Sequence, residues 1–155
     1  MRMESIEICG ANEVSDKVKW PVEVIVYTDG ASRGNPGPAS IGVYVTAADS
    51  TPLVEYGECL GQQTNNFAEY TAVLRALMMA AKEGVKKITI RSDSELMVKQ
   101  MKGIYKVKSP VIKPLHAEAI SLSKKFAAVQ FEHVRREFNI EADRIANEAL
   151  DARKN

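Results

Sequence analysis

Residues 22–38 have the sequence VEVIVYTDGASRGNPGP, and this stretch carries the most information about the fold. Its first part, Val22–Thr28, is rich in β-branched residues and predicts a strand that ends at Asp29 and Gly30. The segment that follows is too long and too rich in glycine and proline for a two-residue hairpin turn. Asp29 therefore ends a predicted strand in a setting that favours either a turn or a functional site.

Strand and helix patterns alternate along the rest of the chain. The elements predicted after the first strand are strands at Ser40–Thr46 and Leu53–Leu60, a helix at Asn66–Gly84, a strand at Val85–Arg91, helices at Ser94–Met101 and Lys113–Ala127, a strand at Val129–Val134 and a helix at Ile140–Ala152. Short loops between the first three strands predict an antiparallel meander, whereas helical crossovers favour parallel pairing of the later strands. The sequence thus predicts an α/β domain with a mixed sheet flanked by helices.

The composition is that of one globular domain. The chain has 155 residues, of which 45% are hydrophobic and 26% charged, and its two cysteines are too few for a disulfide framework. No apolar run approaches the ~20 residues needed to span a bilayer, and the start, MRMESIEICG, lacks the apolar middle of a signal peptide. We expect a cytoplasmic protein, with residues 1–20 as an extension of unassigned role and residues 21–155 as the domain.

The charge of the chain is balanced overall but uneven locally. The formal net charge is only +1, which argues against a general polyanion-binding protein. The stretch Lys99–Lys113, however, contains five lysines and no acidic residue. Such a strip can hold a phosphate backbone, although a solvated surface of a helix and loop has the same composition.

Four acidic residues stand where predicted strands and helices begin or end: Asp29, Glu69, Asp93 and Asp143. Each has a purely structural explanation, because Asp-Gly favours a turn, Asn66 with Glu69 resembles a capping box, Asp93 can cap the next helix, and Asp143 favours the helix dipole with Asn139 as the cap. Element ends are also where sites are built. Four converging carboxylates would repel one another, so their convergence would call for hard cations such as Mg²⁺ or Mn²⁺.

Four motifs together resemble the type 1 ribonuclease H family in its short form, which lacks a large basic protrusion. They are YTDGASRGNPGP at 27–38, TNNFAEY at 64–70, SDS at 92–94 and EADRIANEAL at 141–150. The resemblance implies a five-stranded mixed sheet, three antiparallel strands and then two parallel additions, with helices on both faces. It further implies a monomeric endonuclease that hydrolyses the RNA strand of RNA–DNA hybrids with two Mg²⁺ ions, or Mn²⁺, leaving 5′-phosphate and 3′-hydroxyl ends.

The resemblance also assigns roles to individual residues. The metal-binding carboxylates are expected at Asp29, Glu69, Asp93 and Asp143, and the contacts to the hybrid at Asn35, Thr64, Asn65 and Asn66. From their chemistry alone, we also expect contacts at Gly34, which lets the backbone approach the minor groove, and at Arg136, which adds affinity for phosphate. Many members carry a catalytic histidine in a flexible loop, which here is replaced by HVRREFNIEAD. We expect His133 to be a structural residue of the last strand, and Arg136 or Glu137 as the auxiliary group of the loop.

Two other functions are compatible with the same sequence. A related metal-dependent nuclease that acts on other nucleic acids would share the fold and the carboxylates. A non-catalytic module that binds hybrids would share the fold, although binding alone gives no reason to place four acids against a polyanion.

Overall fold

The computed structural model describes residues 19–153. These residues contain the predicted elements in the predicted order. The elements are β1 Glu23–Ser32, β2 Gly37–Ala47, β3 Pro52–Gln63, α1 Asn65–Lys82, β4 Lys87–Ser92, α2 Glu95–Met101, α3 Ile112–Ser123, β5 Ala128–His133 and α4 Ile140–Ala152, with a 3-10 turn at Arg136–Phe138. The predicted five-stranded α/β fold is confirmed, and differences are confined to the ends of elements.

The strands form one mixed sheet in the order β3-β2-β1-β4-β5. Strand β1 is antiparallel to β2 and parallel to β4, and β4 is parallel to β5. The last residues paired between β1 and β4 are Thr28 and Ser92. The residue after each of them is an aspartate, so the parallel register alone sets Asp29 beside Asp93.

Two glycines allow helices to approach opposite faces of the sheet closely. A side chain at Gly30 would meet the backbone of Ala68 and Glu69 in α1, with the nearest atom 2.4 Å from an ideal Cβ. A side chain at Gly42, which pairs with Asp29, would meet the backbone of Ala142 in α4 at 2.1 Å. Successive residues of a strand point to opposite faces, so α1 and α4 cover different sides of β1 and β2.

The hydrophobic core begins before β1. Trp20 is only 9% exposed and belongs to the main apolar cluster. The carbonyl of Val22 then accepts hydrogen bonds from the backbone N–H groups of Lys86 and Lys87 at 2.8 and 3.0 Å. Apart from Lys19 and Trp20, the predicted extension at 1–20 lies outside the described residues. Within residues 19–153, no helix has the length and apolar character required to cross a bilayer.

Candidate active site

Three of the predicted carboxylates meet at the carboxyl ends of the central parallel strands. Ligand oxygens of Asp29, Glu69 and Asp93 all lie within 4.8 Å of one another. Asp29 and Asp93 arrive from β1 and β4, and Glu69 arrives from α1 at the point where this helix packs over Gly30. The crevice beyond the carboxyl ends of parallel strands is the usual ligand site of such sheets.

Asp143 joins the same site from the first turn of α4. All four carboxylates line one open cleft of about 250 Å³, together with Ser32, Asn65, Arg136 and Asn147. The carboxyl groups of Asp29 and Asp143 are close enough for a hydrogen bond between them to raise the pKa of Asp29. The structure therefore brings together all four acids that the sequence singled out.

Burial and mutual repulsion disfavour the charged forms of three of these acids, Asp29, Glu69 and Asp93. Burial, followed by the charge of Asp93, raises the pKa of Asp29 from 3.8 to about 8. Burial, followed by the charges of Asp29 and Asp93, raises the pKa of Glu69 well above its ordinary value. Burial also raises the pKa of Asp93, although the guanidinium of Arg136 acts in the opposite direction. The cluster thus holds more negative charge than the protein alone neutralises.

The donor set fits a hard divalent cation. Glu69 is only 4% exposed, and its Oε1 atom is buried without a hydrogen-bond partner among the described residues. A buried carboxylate oxygen without a donor costs free energy unless a ligand satisfies it. Oxygen ligands from several carboxylates are those preferred by Mg²⁺ and Mn²⁺. Asp29, Glu69, Asp93 and Asp143 would hold such ions.

The capping roles that Glu69 and Asp93 could have played are filled by other residues. The side chain of Thr64 caps α1 by accepting from the N–H of Phe67 at 3.2 Å, and Ser94 caps α2 by accepting from Met97 at 3.3 Å. Capping by Glu69 or Asp93 is thus not needed at either helix. Asn139 occupies the N-cap position of α4, as predicted, but its side chain makes no capping hydrogen bond.

Asn139 instead ties α4 to the central strand. Its Nδ2 donates to the carbonyl of Thr28 at 3.0 Å, in a position where the asparagine is only 1% exposed. This bond fixes the start of α4 against the residue that precedes Asp29, and it places Asp143 one turn further on. The residues are 111 positions apart in the chain, so local capping patterns could not reveal the contact.

The sequence analysis missed three polar residues here: Ser32 and Asn147 line the cleft, and Arg33 contacts Asn147. Asn147 donates to the backbone carbonyl of Asp143 at 2.9 Å and approaches its carboxylate at 3.4 Å. Its spacing of four residues from Asp143 on a helix is the signal that would have found it. Arg33 bridges from the β1–β2 connection to Asp151 at 2.7 Å and to Asn147 at 3.4 Å. No local pattern indicates this long-range pair.

The residues expected to contact the hybrid, apart from Arg136, lie around the N-terminus of α1. The Oδ1 of Asn35 accepts from the backbone N–H of Asn65 at 3.0 Å, which connects the exposed turn at Gly34 and Asn35 to the helix. Asn65 lines the acidic cleft itself. Thr64 is exposed beside it as the N-cap, and Asn66 is half-buried. These groups form a polar surface that continues directly from the carboxylates.

The charged residues of the segment between β5 and α4 do not all reach the cleft. Arg136 lines the cleft, with its Nε 3.9 Å from Asp93 and its side chain 88% exposed. Glu137 is not brought into the cleft, because it lines a neighbouring cavity and pairs with Arg135 at 3.6 Å. His133 is the last residue of β5, as expected, but its side chain is exposed and does not pack in the core.

The chain is similar to proteins of known family. The reverse transcriptase-like family matches residues 27–149. The bifunctional protein Rv2228c of Mycobacterium tuberculosis is 43% identical over 84% of this chain and 36% of its own length. Ribonuclease HI of Halobacterium salinarum is 42% identical over 83% of this chain and 64% of its own length. The chain thus spans about a third and about two thirds of these two relatives.

Solved structures agree with this similarity. Ribonuclease H1 from Halobacterium salinarum superposes with a TM-score of 0.81 at 42% identity, and it covers 83% of this chain and 98% of the solved one. LC11-RNase H1, solved in complex with an RNA/DNA hybrid, superposes with a TM-score of 0.77 at 43% identity, over 83% and 96% of the two chains.

Proposed function

This chain belongs to the type 1 ribonuclease H family, and from that premise we propose that it hydrolyses the RNA strand of RNA–DNA hybrids. The observation that carries the proposal is the convergence of Asp29, Glu69, Asp93 and Asp143 on one cleft. Nothing in hybrid binding alone explains an acidic cleft that faces a polyanion, since bare carboxylates repel phosphate. The occupants that make this cleft tolerable are cations, and cations at a phosphodiester favour hydrolysis.

The proposed cofactors are two Mg²⁺ ions, with Mn²⁺ as a substitute, held by the four carboxylates. When bound, such ions lower the pKa of a coordinated water and neutralise charge that develops on a transferred phosphate. In the overall reaction, water adds to phosphorus and the bond to the 3′ oxygen breaks, which leaves 5′-phosphate and 3′-hydroxyl ends. No protein nucleophile takes part in this reaction.

The protein residues act mainly by holding charge in place. Asp29 and Asp93 are fixed by the register of β1 and β4, and Glu69 is fixed by the close packing of α1. Because the three groups come from rigid elements, little reorganisation is required when cations and substrate bind. Arg136, which lines the same cleft with an exposed side chain, is suited to contact a phosphate at its edge.

Selection of RNA over DNA is assigned to the polar surface near α1. Asn35, Asn65 and Asn66 offer both donors and acceptors, which suits base edges and 2′-hydroxyl groups. Thr64, at the N-terminus of α1, is suited to hold a phosphate of the DNA strand, since helix N-termini attract anions. The lysines of Lys99–Lys113 add affinity that depends on salt.

A substrate panel tests the proposal. End-labelled RNA–DNA hybrid, duplex RNA, duplex DNA and single-stranded RNA are incubated with the chain in Mg²⁺, in Mn²⁺ and in EDTA. The proposal predicts metal-dependent cleavage of the RNA strand of the hybrid and of no other substrate in the panel. It also predicts that the products carry 5′-phosphates and can therefore be ligated. Equal cleavage of duplex DNA would favour a related nuclease, and binding without cleavage would favour a hybrid-binding module.

A further inference from the structure

A network of buried polar side chains lies between α1, α2 and the segment that follows α2. Its centre is Gln100, which is 7% exposed. The Oε1 of Gln100 accepts from the hydroxyl of Tyr70 at 2.7 Å, and its Nε2 donates to the carbonyl of Lys106 at 3.3 Å. The backbone carbonyl of Gln100 accepts from Nε2 of His116 at 3.2 Å, and the rings of Tyr70 and His116 meet edge to face at 6.2 Å.

One side of this network belongs to the helix of the acidic cleft. Tyr70 directly follows Glu69 in α1 and is fully buried. Its hydroxyl donates to the side-chain oxygen of Gln100 at 2.7 Å. The position of Gln100 is therefore coupled to that of α1 by a directional bond.

The other side of the network is the basic loop, which we define as residues 102–111. Three of its lysines, Lys102, Lys106 and Lys108, are exposed. No ion pair involves these three lysines among residues 19–153, whereas Lys99 is paired with Glu95 at 2.9 Å. Their charges are thus available to an anion outside the protein.

The path of the basic loop is defined by few contacts. The backbone N–H groups of Ile104 and Tyr105 donate to the carbonyl of Lys99 at 2.9 and 3.2 Å. Val107 is partly buried against the core. The side chain of Lys99 also contacts Tyr105 at the surface, with Nζ 3.5 Å from the hydroxyl. The bond from Gln100 to the carbonyl of Lys106 ties the middle of the loop to a buried side chain, next to two of the available lysines.

We propose that Gln100 is a positioning residue for the nucleic-acid substrate: it holds the lysines of the basic loop at a fixed place relative to α1 and the acidic cleft. The inference rests on the function proposed above and extends it to the grip on the substrate. Helix α2 has seven residues and starts two residues after Asp93, so the basic loop begins ~10 Å along a helix axis from the cleft. A duplex carries several phosphates over that length.

The polar character of the network supports positioning over simple packing. Tyr70 and Gln100 are buried where phenylalanine and leucine of similar volume would pack without any desolvation cost. A buried hydrogen-bonded network restricts its members to one geometry, which apolar contacts do not. The cost of burying these groups is explained if the geometry of the basic loop matters for binding.

The experiment compares two variants that separate the two bonds of Gln100. Tyr70→Phe removes the hydroxyl and keeps the bond from Gln100 to the basic loop. The double variant Tyr70→Phe/Gln100→Leu removes both bonds and leaves no buried phenol without a partner. A charge variant, Lys106→Gln/Lys108→Gln, removes two loop charges directly. Lys125→Gln is the matched control, because Lys125 is exposed and lies with Lys86 at the opposite end of β4.

The readouts are kcat and KM for labelled hybrid over a salt series, hybrid binding by fluorescence anisotropy in an Asp93→Asn background, and the melting temperature. The double variant is expected to raise KM roughly 5- to 10-fold, keep kcat within about twofold, and flatten the slope of log Kd against log salt by ~1–2, since each lost phosphate contact removes ~0.9. The double charge variant is expected to match it. Tyr70→Phe is expected to change KM by less, and Lys125→Gln to match the parent.

Different outcomes separate the inference from the proposed function. If the double variant lowers kcat and melting temperature in parallel while KM and salt slope match the parent, Gln100 is merely structural and the inference is overturned. Unchanged values in every readout overturn it as well. If the parent binds hybrid but does not cleave it, the proposed function fails, and the salt slope still decides the role of Gln100. A parent chain that does not bind hybrid overturns both.

Discussion

Replacement of Asp29 by asparagine is predicted to stabilise the metal-free protein at alkaline pH. The substitution removes one buried charge from the cluster at nearly constant volume. Asp29 is 5% exposed, and burial together with Asp93 raises its pKa from 3.8 to about 8. The folded state binds the carboxyl proton of Asp29 more tightly than the unfolded state does. The stability that this proton contributes is therefore fully present below about pH 4. It is lost progressively as the pH rises to 8.

The size of the effect follows from that shift. One pKa unit corresponds to 1.36 kcal/mol. The shift of Asp29 therefore sets an upper bound of ~6 kcal/mol on the unfolding free energy that Asp29→Asn can gain at pH 8. Burial and the charge of Asp29 also raise the pKa of Glu69 in the same cluster, so the effect is shared between the two acids and removal of one charge recovers only part of this amount. We expect Asp29→Asn to raise the free energy of unfolding by ~2 kcal/mol or more at pH 8, and by little at pH 4.

Urea denaturation in EDTA at several pH values measures the effect. Glu118→Gln is the control, because Glu118 is an exposed acid on α3, away from the cleft. Excess Mg²⁺ is expected to stabilise the parent and to leave Asp29→Asn much less affected, since the cation replaces the proton as the partner of the cluster. A raised pKa at Asp29 is ruled out if Asp29→Asn is less stable than the parent in EDTA at pH 8, or if Glu118→Gln gains the same stability.

Three other perturbations test separate parts of the structure. Gly42→Ala would set a Cβ 2.1 Å from the carbonyl oxygen of Ala142. We expect the free energy of unfolding, measured by urea denaturation, to fall by ~2 kcal/mol or more, and an unchanged midpoint would contradict the close packing of α4. Asn139→Ala removes the bond to Thr28 and is expected to cost ~1–3 kcal/mol and to weaken Mg²⁺ binding in calorimetry, whereas intact affinity would show that α4 is held by other contacts. The logarithm of hybrid affinity should fall with log salt with a modest slope, because the net charge is only +1; a slope near −10 in anisotropy titrations would rule out a small set of phosphate contacts.

The sequence predicts the fold well because its strands and helices have clear local patterns. The main errors concern ends that depend on distant partners. Strand β1 was predicted to end at Thr28, yet it continues to Ser32, because residues 29–32 pair with residues 39–42 of β2. Pairing with a neighbouring strand is a tertiary contact that overrides the turn preference of Asp-Gly and of the following glycines and polar residues.

The site was predictable to the extent that strand and helix ends are predictable. Asp29 and Asp93 follow strands that run in parallel, and this topology alone brings them together. The bond from Asn139 to Thr28 and the bridge from Arg33 to Asp151 join residues more than a hundred positions apart. The local sequence around Asn139 indicates a helix cap, and only the packed structure shows that its amide is used elsewhere.

Metal-dependent hydrolysis at the acidic cleft is tested most directly by the rate at which the RNA strand of a labelled hybrid is cleaved by the parent, by Asp93→Asn and by the control Glu118→Gln, in Mg²⁺ and in EDTA. Hydrolysis at this cleft predicts cleavage by the parent and the control in Mg²⁺ only. It predicts no cleavage by Asp93→Asn, although that variant keeps its circular dichroism spectrum and its hybrid binding. Cleavage by Asp93→Asn near the parent rate, or cleavage by the parent in EDTA, would contradict it.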